Sequence, residues 1–139
     1  MSPASIPSTS NSHSRPKAVA PAAANAAAAS FALLEAELGY LNDADTNMVR
    51  RAYKFADEAH LGQMRKSGEP YITHPIAVAV LCTEWKLDAQ ALAAALLHDA
   101  MEDCGVTKVA LIERFGSPVA ELVDGLTKLE KLEFNTREE

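Results

Sequence analysis

Leu92-Ala93-Ala94-Ala95-Leu96-Leu97-His98-Asp99-Ala100-Met101-Glu102-Asp103 is the stretch around which this chain of 139 residues is organised. Its first half is small and apolar, as suits a helix buried on every side, and its last turns switch to side chains able to bind metal or move protons. At about 100° per residue, His98 lies over Glu102 and Asp99 over Asp103, so these four share one sector of the helix end. A core helix of this kind delivers a polar cluster to a cavity. The same residues would also suit a helix end that frays into solvent, and the stretch alone does not separate the two readings.

Working outward, Asp88 is placed to cap this helix and Gly105 to stop it, which predicts a run from about Ala89 to Cys104. At ~1.5 Å per residue that is near 24 Å, enough to cross a small domain. Thr107 then caps a helix containing Val109, Ile112 and Phe115 and closed by Gly116. Ser117-Pro118 reads as an N-cap with proline at the first helical position, introducing Val119, Leu122, Val123, Leu126 and Leu129. Asp124 and Lys128, four apart, are expected to pair at the surface. Upstream, Pro75 predicts the first residue of a helix that turns Ile76, Ala79, Val80 and Leu81 inward and carries Trp85 near its end, with His74 at its start.

Before that, the run from Asn42 to Asp45 caps a helix with Met48, Ala52, Phe55 and Ala59 on one face, stopped by Gly62. Its Arg50, Arg51, Lys54, Asp57 and Glu58 read as a solvated face, and His60 as a capping or surface histidine. Ser30 is a candidate cap for a first helix with Phe31, Leu34, Leu38 and Leu41 in a stripe. Residues 1–29 are rich in Ser, Pro, Ala and Asn with little to bury, and read as a disordered tail in which His13 is a bystander. The expected architecture is all-α, six helices over residues 30–139. Residues 129–139 become increasingly charged without a cap, and the apolar residues of the last helix lack a later partner, which predicts a helical domain continuing in a longer chain.

Composition narrows the function. A hydrophobic fraction of 48% supports a core, while a formal net charge of −6 argues against nucleic acid or an anionic membrane as the main partner. Cys82 and Cys104 are too few and too far apart for a disulfide framework or a thiolate zinc site, and fit a reducing cytoplasm. No run reaches the ~18 apolar residues needed to span a bilayer. Residues 18–29 lack the large apolar side chains of a signal-peptide core.

Candidate chemistry gathers in two places. The loop Gln63-Met64-Arg65-Lys66-Ser67-Gly68-Glu69-Pro70-Tyr71-Ile72-Thr73-His74-Pro75 cannot continue a helix past Gly68 and Pro70, and carries two cations, a hydroxyl and an aromatic ring close to a histidine. Arg65 could stack on a base and Lys66 meet a phosphate, or the loop could be an ordinary polar connector. His74 is either a metal ligand or a weak helix cap. Histidine nitrogen with carboxylate oxygen from His98 and Asp99 favours manganese, iron, cobalt or zinc over calcium. Such an ion lowers the pKa of water and polarises a phosphoryl oxygen, and Glu102 and Asp103 are placed to orient or deprotonate that water.

The run from Arg65 to Pro75, then His98-Asp99 with Glu102-Asp103, then Phe115-Gly116 and Val123-Asp124-Gly125-Leu126-Thr127-Lys128-Leu129, resembles the N-terminal hydrolase domain of the RelA/SpoT family, bifunctional synthetase/hydrolases of the alarmones ppGpp and pppGpp. The resemblance covers about residues 44–132 and rests on several motifs in order. It implies an all-helical HD-type phosphohydrolase of the stringent response that uses Mn2+ to remove the 3′-pyrophosphate of (p)ppGpp, yielding GDP or GTP. By resemblance His74, His98 and Asp99 are metal ligands, Glu102 and Asp103 activate water, and Arg65, Lys66 and Ser67 hold the guanosine nucleotide. Family members specialised for synthesis lack the His-Asp pair, so its presence points to the hydrolase-competent, SpoT-like branch.

The family's further aspartate ligand, in a later segment resembling "ADRLHNMR", has no counterpart in this sequence, nor do its synthetase and regulatory domains, which the resemblance places in the parent chain. The isolated chain is therefore expected to be a weak or inactive hydrolase. Ala100, Met101 and Cys104 depart from the more usual family residues, as does Leu126, where valine is common. A regulatory HD module that binds guanosine nucleotide without turnover is the alternative, and a phosphohydrolase acting on another nucleotide is a third reading.

Overall fold

The structure, a computed structural model, describes residues 21–138, with side chains as far as residue 129. The tail expected over residues 1–20, His13 included, lies outside the described residues. Within them the chain forms α1 (Pro21–Ala36), α2 (Asp43–Ala59), α3 (Thr73–Glu84), α4 (Ala89–Asp103), α5 (Lys108–Phe115) and α6 (Ser117–Glu138). The all-α expectation holds.

The quoted stretch is the centre of the bundle. α4 packs against α2, α3 and α6, and Leu92, Ala93, Leu96, Leu97 and Ala100 are fully buried. Alanines on one helix let the others approach closely, while the leucines fill the space between them. Asp88 caps α4 by accepting a hydrogen bond from the Ala91 amide at 2.9 Å, and Gly105, at φ 75°, turns the chain out of it just past Cys104. The helix therefore ends abruptly, holding His98 and Asp99 half-buried where a frayed end would release them.

Several sequence expectations are corrected. α1 begins at Pro21, so Ser30 lies inside a helix instead of capping one, and residues 21–29 are helical. The physical reason is the alanine run, which has the best helix propensity of any residue type, opened by a proline that costs nothing at a first position. Ala27 from this run is buried beside Phe31 and Leu34. α3 starts at Thr73, two residues before Pro75, because proline is tolerated throughout the first turn, where no backbone N–H is needed.

The inward faces also rotate. Val49, Ala52 and Ala56 line the core from α2, with Met48 and Phe55 only partly buried. Leu111 and Phe115 do so from α5, leaving Val109 64% exposed. On α3, Leu81 and Trp85 face solvent at 59% and 79% exposure. On α6, Val119, Ala120, Val123 and Thr127 are buried while Leu122, Leu126 and Leu129 are exposed. Asp124 and Lys128 pair at 3.1 Å as expected, joined by Lys108 from α5 at 3.3 Å.

The connection between α2 and α3 is a closed finger. Met64 and Pro70 bridge antiparallel, the Arg65 amide donates to the Glu69 carbonyl at 2.7 Å and the Tyr71 amide to the Gln63 carbonyl at 2.8 Å. Gly68, at φ 94°, makes the reversal at the tip, a conformation that L side chains rarely adopt.

Candidate functional site

α4 delivers the polar end that its sequence pattern predicts. His98 Nδ1 lies 3.2 Å from Asp99 Oδ1, and His98 Nε2 lies 3.9 Å from Glu102 Oε1, one turn on. α3 brings His74 to the same place from its first turn, with Nε2 3.9 Å from Asp99 Oδ2. Asp99 is thus the hub of the cluster. Burial pushes its carboxyl pKa up, but hydrogen bonds from His98 and Tyr71 and the nearby His98 and His74 rings outweigh that, leaving it below the usual carboxylate range.

These residues fit a divalent metal. One donor atom each from His98, Asp99 and Glu102 lie within 4.8 Å of one another. Donors on one ion with bonds of ~2.0–2.2 Å stand about 3 Å apart in cis positions and about 4.4 Å apart in trans, so the trio is near enough for side-chain movement to close it around an ion. The mixture of imidazole nitrogen and carboxylate oxygen suits a borderline to hard ion. Asp103 is exposed and outside this trio, and its charge acts on Tyr71.

Tyr71 is the residue that the sequence reading undervalued. Its hydroxyl donates to Asp99 Oδ2 at 2.9 Å. Burial raises its phenol pKa, and the bond to Asp99 raises it further, so the group is a neutral donor throughout the physiological range. The adjacency of an aromatic ring to a histidine in the loop was the only sequence signal, and a 28-residue separation from Asp99 hid the contact. Behind Tyr71 stands His60, which caps α2 as one of its two sequence readings expects, and at 2% exposed is not the surface histidine of the other. Its Nδ1 meets Gln63 Oε1 at 3.2 Å and Cys104 Sγ at 3.3 Å. Cys104 thus sits against this polar wall, and neither cysteine is in a disulfide.

The finger presents its cations to the same region. Met64, Arg65, Lys66, Ser67, Tyr71 and His74 line an open cavity of about 590 Å³. Arg65 donates to Glu69 Oε1 at 3.3 Å and to Thr73 Oγ1 at 3.4 Å, which holds its guanidinium between the finger and the first residue of α3. On the other side, His74, His98 and Asp99 rim a groove of about 550 Å³ whose walls include Val78, Leu122 and Leu126. His74 borders both spaces, so the cluster of His74, His98 and Asp99 stands where they meet.

An all-helical bundle carrying adjacent histidine and aspartate on its central helix, met by a histidine from the preceding one, defines a class of metal-site domain. Residues 52–139 match the family described as HD domain, to which the chain therefore belongs. Among individual relatives, the guanosine-3′,5′-bis(diphosphate) 3′-pyrophosphohydrolase of Vibrio cholerae is 55% identical over 100 residues, 72% of this chain and 14% of that protein. The bifunctional (p)ppGpp synthase/hydrolase SpoT of Escherichia coli K12 is 51% identical over 100 residues, again 72% and 14%. A GTP pyrophosphokinase of Myxococcus xanthus is 49% identical over 92 residues, 66% and 12%. The chain thus spans about one-seventh of the length of the first two. Among the described residues, no helix is long and apolar enough to cross a membrane.

Proposed function

We propose that these residues belong to a hydrolase domain that removes the 3′-pyrophosphate of ppGpp and pppGpp, yielding GDP or GTP, within a longer cytoplasmic protein that also carries synthetase and regulatory domains. The observation that carries this reading is the convergence of His74, His98, Asp99 and Glu102 beside the cavity lined by Arg65, Lys66 and Ser67, with His74 common to both. The activities for which the relatives from Vibrio cholerae and Escherichia coli are named supply the substrate.

In this reading His74, His98 and Asp99 hold manganese, which when bound supplies a Lewis acid that polarises a phosphoryl oxygen and lowers the pKa of water. Asp99 stays ionised for that role because His98 and Tyr71 hydrogen-bond to its charged form. Arg65 stacks on the guanine and Lys66 and Ser67 engage phosphate oxygens, fixing the 3′ phosphorus near the cluster. Glu102 and Asp103 orient water and take its proton as its oxygen attacks phosphorus. The bond between phosphorus and the 3′ oxygen breaks, pyrophosphate departs, and the proton passes to the nucleoside 3′ oxygen.

The deciding experiment is a manganese titration of the longer parent protein with ppGpp, following pyrophosphate and GDP together. Stoichiometric, manganese-dependent release of both is expected. Binding of ppGpp without release would make this a regulatory module. Equal turnover of a nucleotide lacking the 3′-pyrophosphate would reassign the substrate.

A further inference from the structure

Asp99 and the cation-bearing finger are far apart in sequence, yet one residue touches both. Tyr71 reaches Asp99 Oδ2 through its hydroxyl at 2.9 Å and closes the finger through its amide, which donates to Gln63 O at 2.8 Å. We propose that Tyr71 is a positioning residue that ties the finger to the metal ligand, so that occupancy of the metal site and order in residues 64–70 rise and fall together. The inference rests on the metal reading given above.

Three features support it. Both oxygens of Asp99 are engaged, Oδ1 by His98 Nδ1 at 3.2 Å and Oδ2 by Tyr71, so the carboxylate cannot rotate without breaking a hydrogen bond. Each oxygen has a second lone pair, so Oδ2 can accept from Tyr71 and still face a cation. The tyrosine ring is fixed in turn: His60 lies 4.8 Å away at a 36° tilt and His74 meets it edge-on at 5.8 Å.

The platform beneath the ring belongs to the finger's own base. His60 is held by Gln63, whose side-chain amide also donates to Cys104 Sγ at 3.4 Å and whose carbonyl receives the Tyr71 amide. A shift of the finger therefore moves Tyr71, and a shift of Tyr71 pulls on Asp99. Coupling of this kind is reciprocal: what orders Asp99 orders the finger by the same factor. Groups that orient a metal ligand from behind typically change metal affinity ~10–100-fold when removed.

The test compares the longer parent protein, which carries the complete domain, with its Tyr71→Phe variant, which keeps the ring and loses only the hydroxyl. Manganese chloride is titrated by calorimetry, and amide hydrogen exchange is read at Arg65, Gly68 and Tyr71, whose amides are bonded within the finger. Without metal, the variant should exchange faster at these three amides than the wild type. With manganese, wild-type exchange should slow several-fold or more, whereas the variant should bind ~10–100-fold more weakly and show no slowing at its own saturation. Equal metal-free exchange in the two proteins overturns the tether, as does equal slowing at matched occupancy. Faster metal-free exchange in the variant, together with no manganese uptake by the wild type, would overturn the metal reading and the coupling while leaving the tether itself in place.

Discussion

His98 Nδ1 and Asp99 Oδ1, on adjacent residues of one helix, lie 3.2 Å apart. Neighbours in a helix point about 100° apart, so this contact needs both side chains to bend toward a common side, here the mouth between α3 and α4. The pair therefore stabilises the ionised carboxylate even before any metal arrives, and this makes a prediction about pH.

In metal-free protein, Asp99→Asn should lower stability at pH 7 by about 1 kcal/mol, the net worth of an ordinary hydrogen bond. The folded-state pKa of Asp99 lies below its ordinary value of 3.8. The ionised form therefore contributes stability above that value, and the contribution is lost as pH falls through the lower, folded-state pKa. Urea unfolding at pH 7 and near pH 3 should show the gap between wild type and variant narrowing in acid. A gap that widens in acid would reverse the assigned direction.

His98→Ala or Asp99→Ala should abolish alarmone hydrolysis in the longer parent protein while leaving any synthetase activity measurable, because the cluster serves one reaction only. Manganese content should fall with it. Wild-type hydrolysis in either variant at saturating manganese would remove that residue from the ligand set.

Arg65→Ala should raise KM for ppGpp with kcat little changed. A stacking cation contributes ~1–2 kcal/mol when desolvated, or about five- to thirtyfold, and is felt similarly in ground and transition states. Steady-state kinetics read this directly, and an unchanged KM would take the finger out of the binding site.

Glu102→Gln and Asp103→Asn keep size and most hydrogen bonding but remove the base, so kcat should fall by ~10²–10⁴ with manganese retained. Metal analysis after gel filtration is the check. Glu102 stands close enough to His98 and Asp99 to be a ligand itself, so metal lost in parallel with activity in that variant would move it into the coordination set.

Leu96→Ala should destabilise the fold by ~2–5 kcal/mol, since Leu96 is fully buried on the central helix and its loss leaves a cavity among α4's neighbours. Chemical denaturation measures it. A change under about 0.5 kcal/mol would mean that α4 is not the core.

The elements of this protein were legible in its sequence because helix signals are local. Asp88 and Thr107 act as the caps they were read to be, and Gly105 and Gly116 end their helices with positive φ, since a side-chain cap or a left-handed turn depends on a few neighbouring residues. The chemistry of α4 was legible for the same reason: a four-residue period puts His98 over Glu102 whatever surrounds them. The start of α1 was misread because alanine, poor at burying surface, suggested a tail, although it is the strongest helix former.

Among the described residues, sequence by itself determined the six helices, a buried central one and a polar cluster at its end. Only the tertiary structure decided which face of each helix is inward, because that depends on what packs against it: Leu81 and Val109 look like core residues by pattern and are exposed in fact. It alone decided that His60 is buried, that Cys104 meets it, and that Tyr71 reaches Asp99 from 28 residues away. Periodicity constrains neighbours within one element, whereas contacts between elements are set by how the whole bundle closes, and no local pattern carries that information.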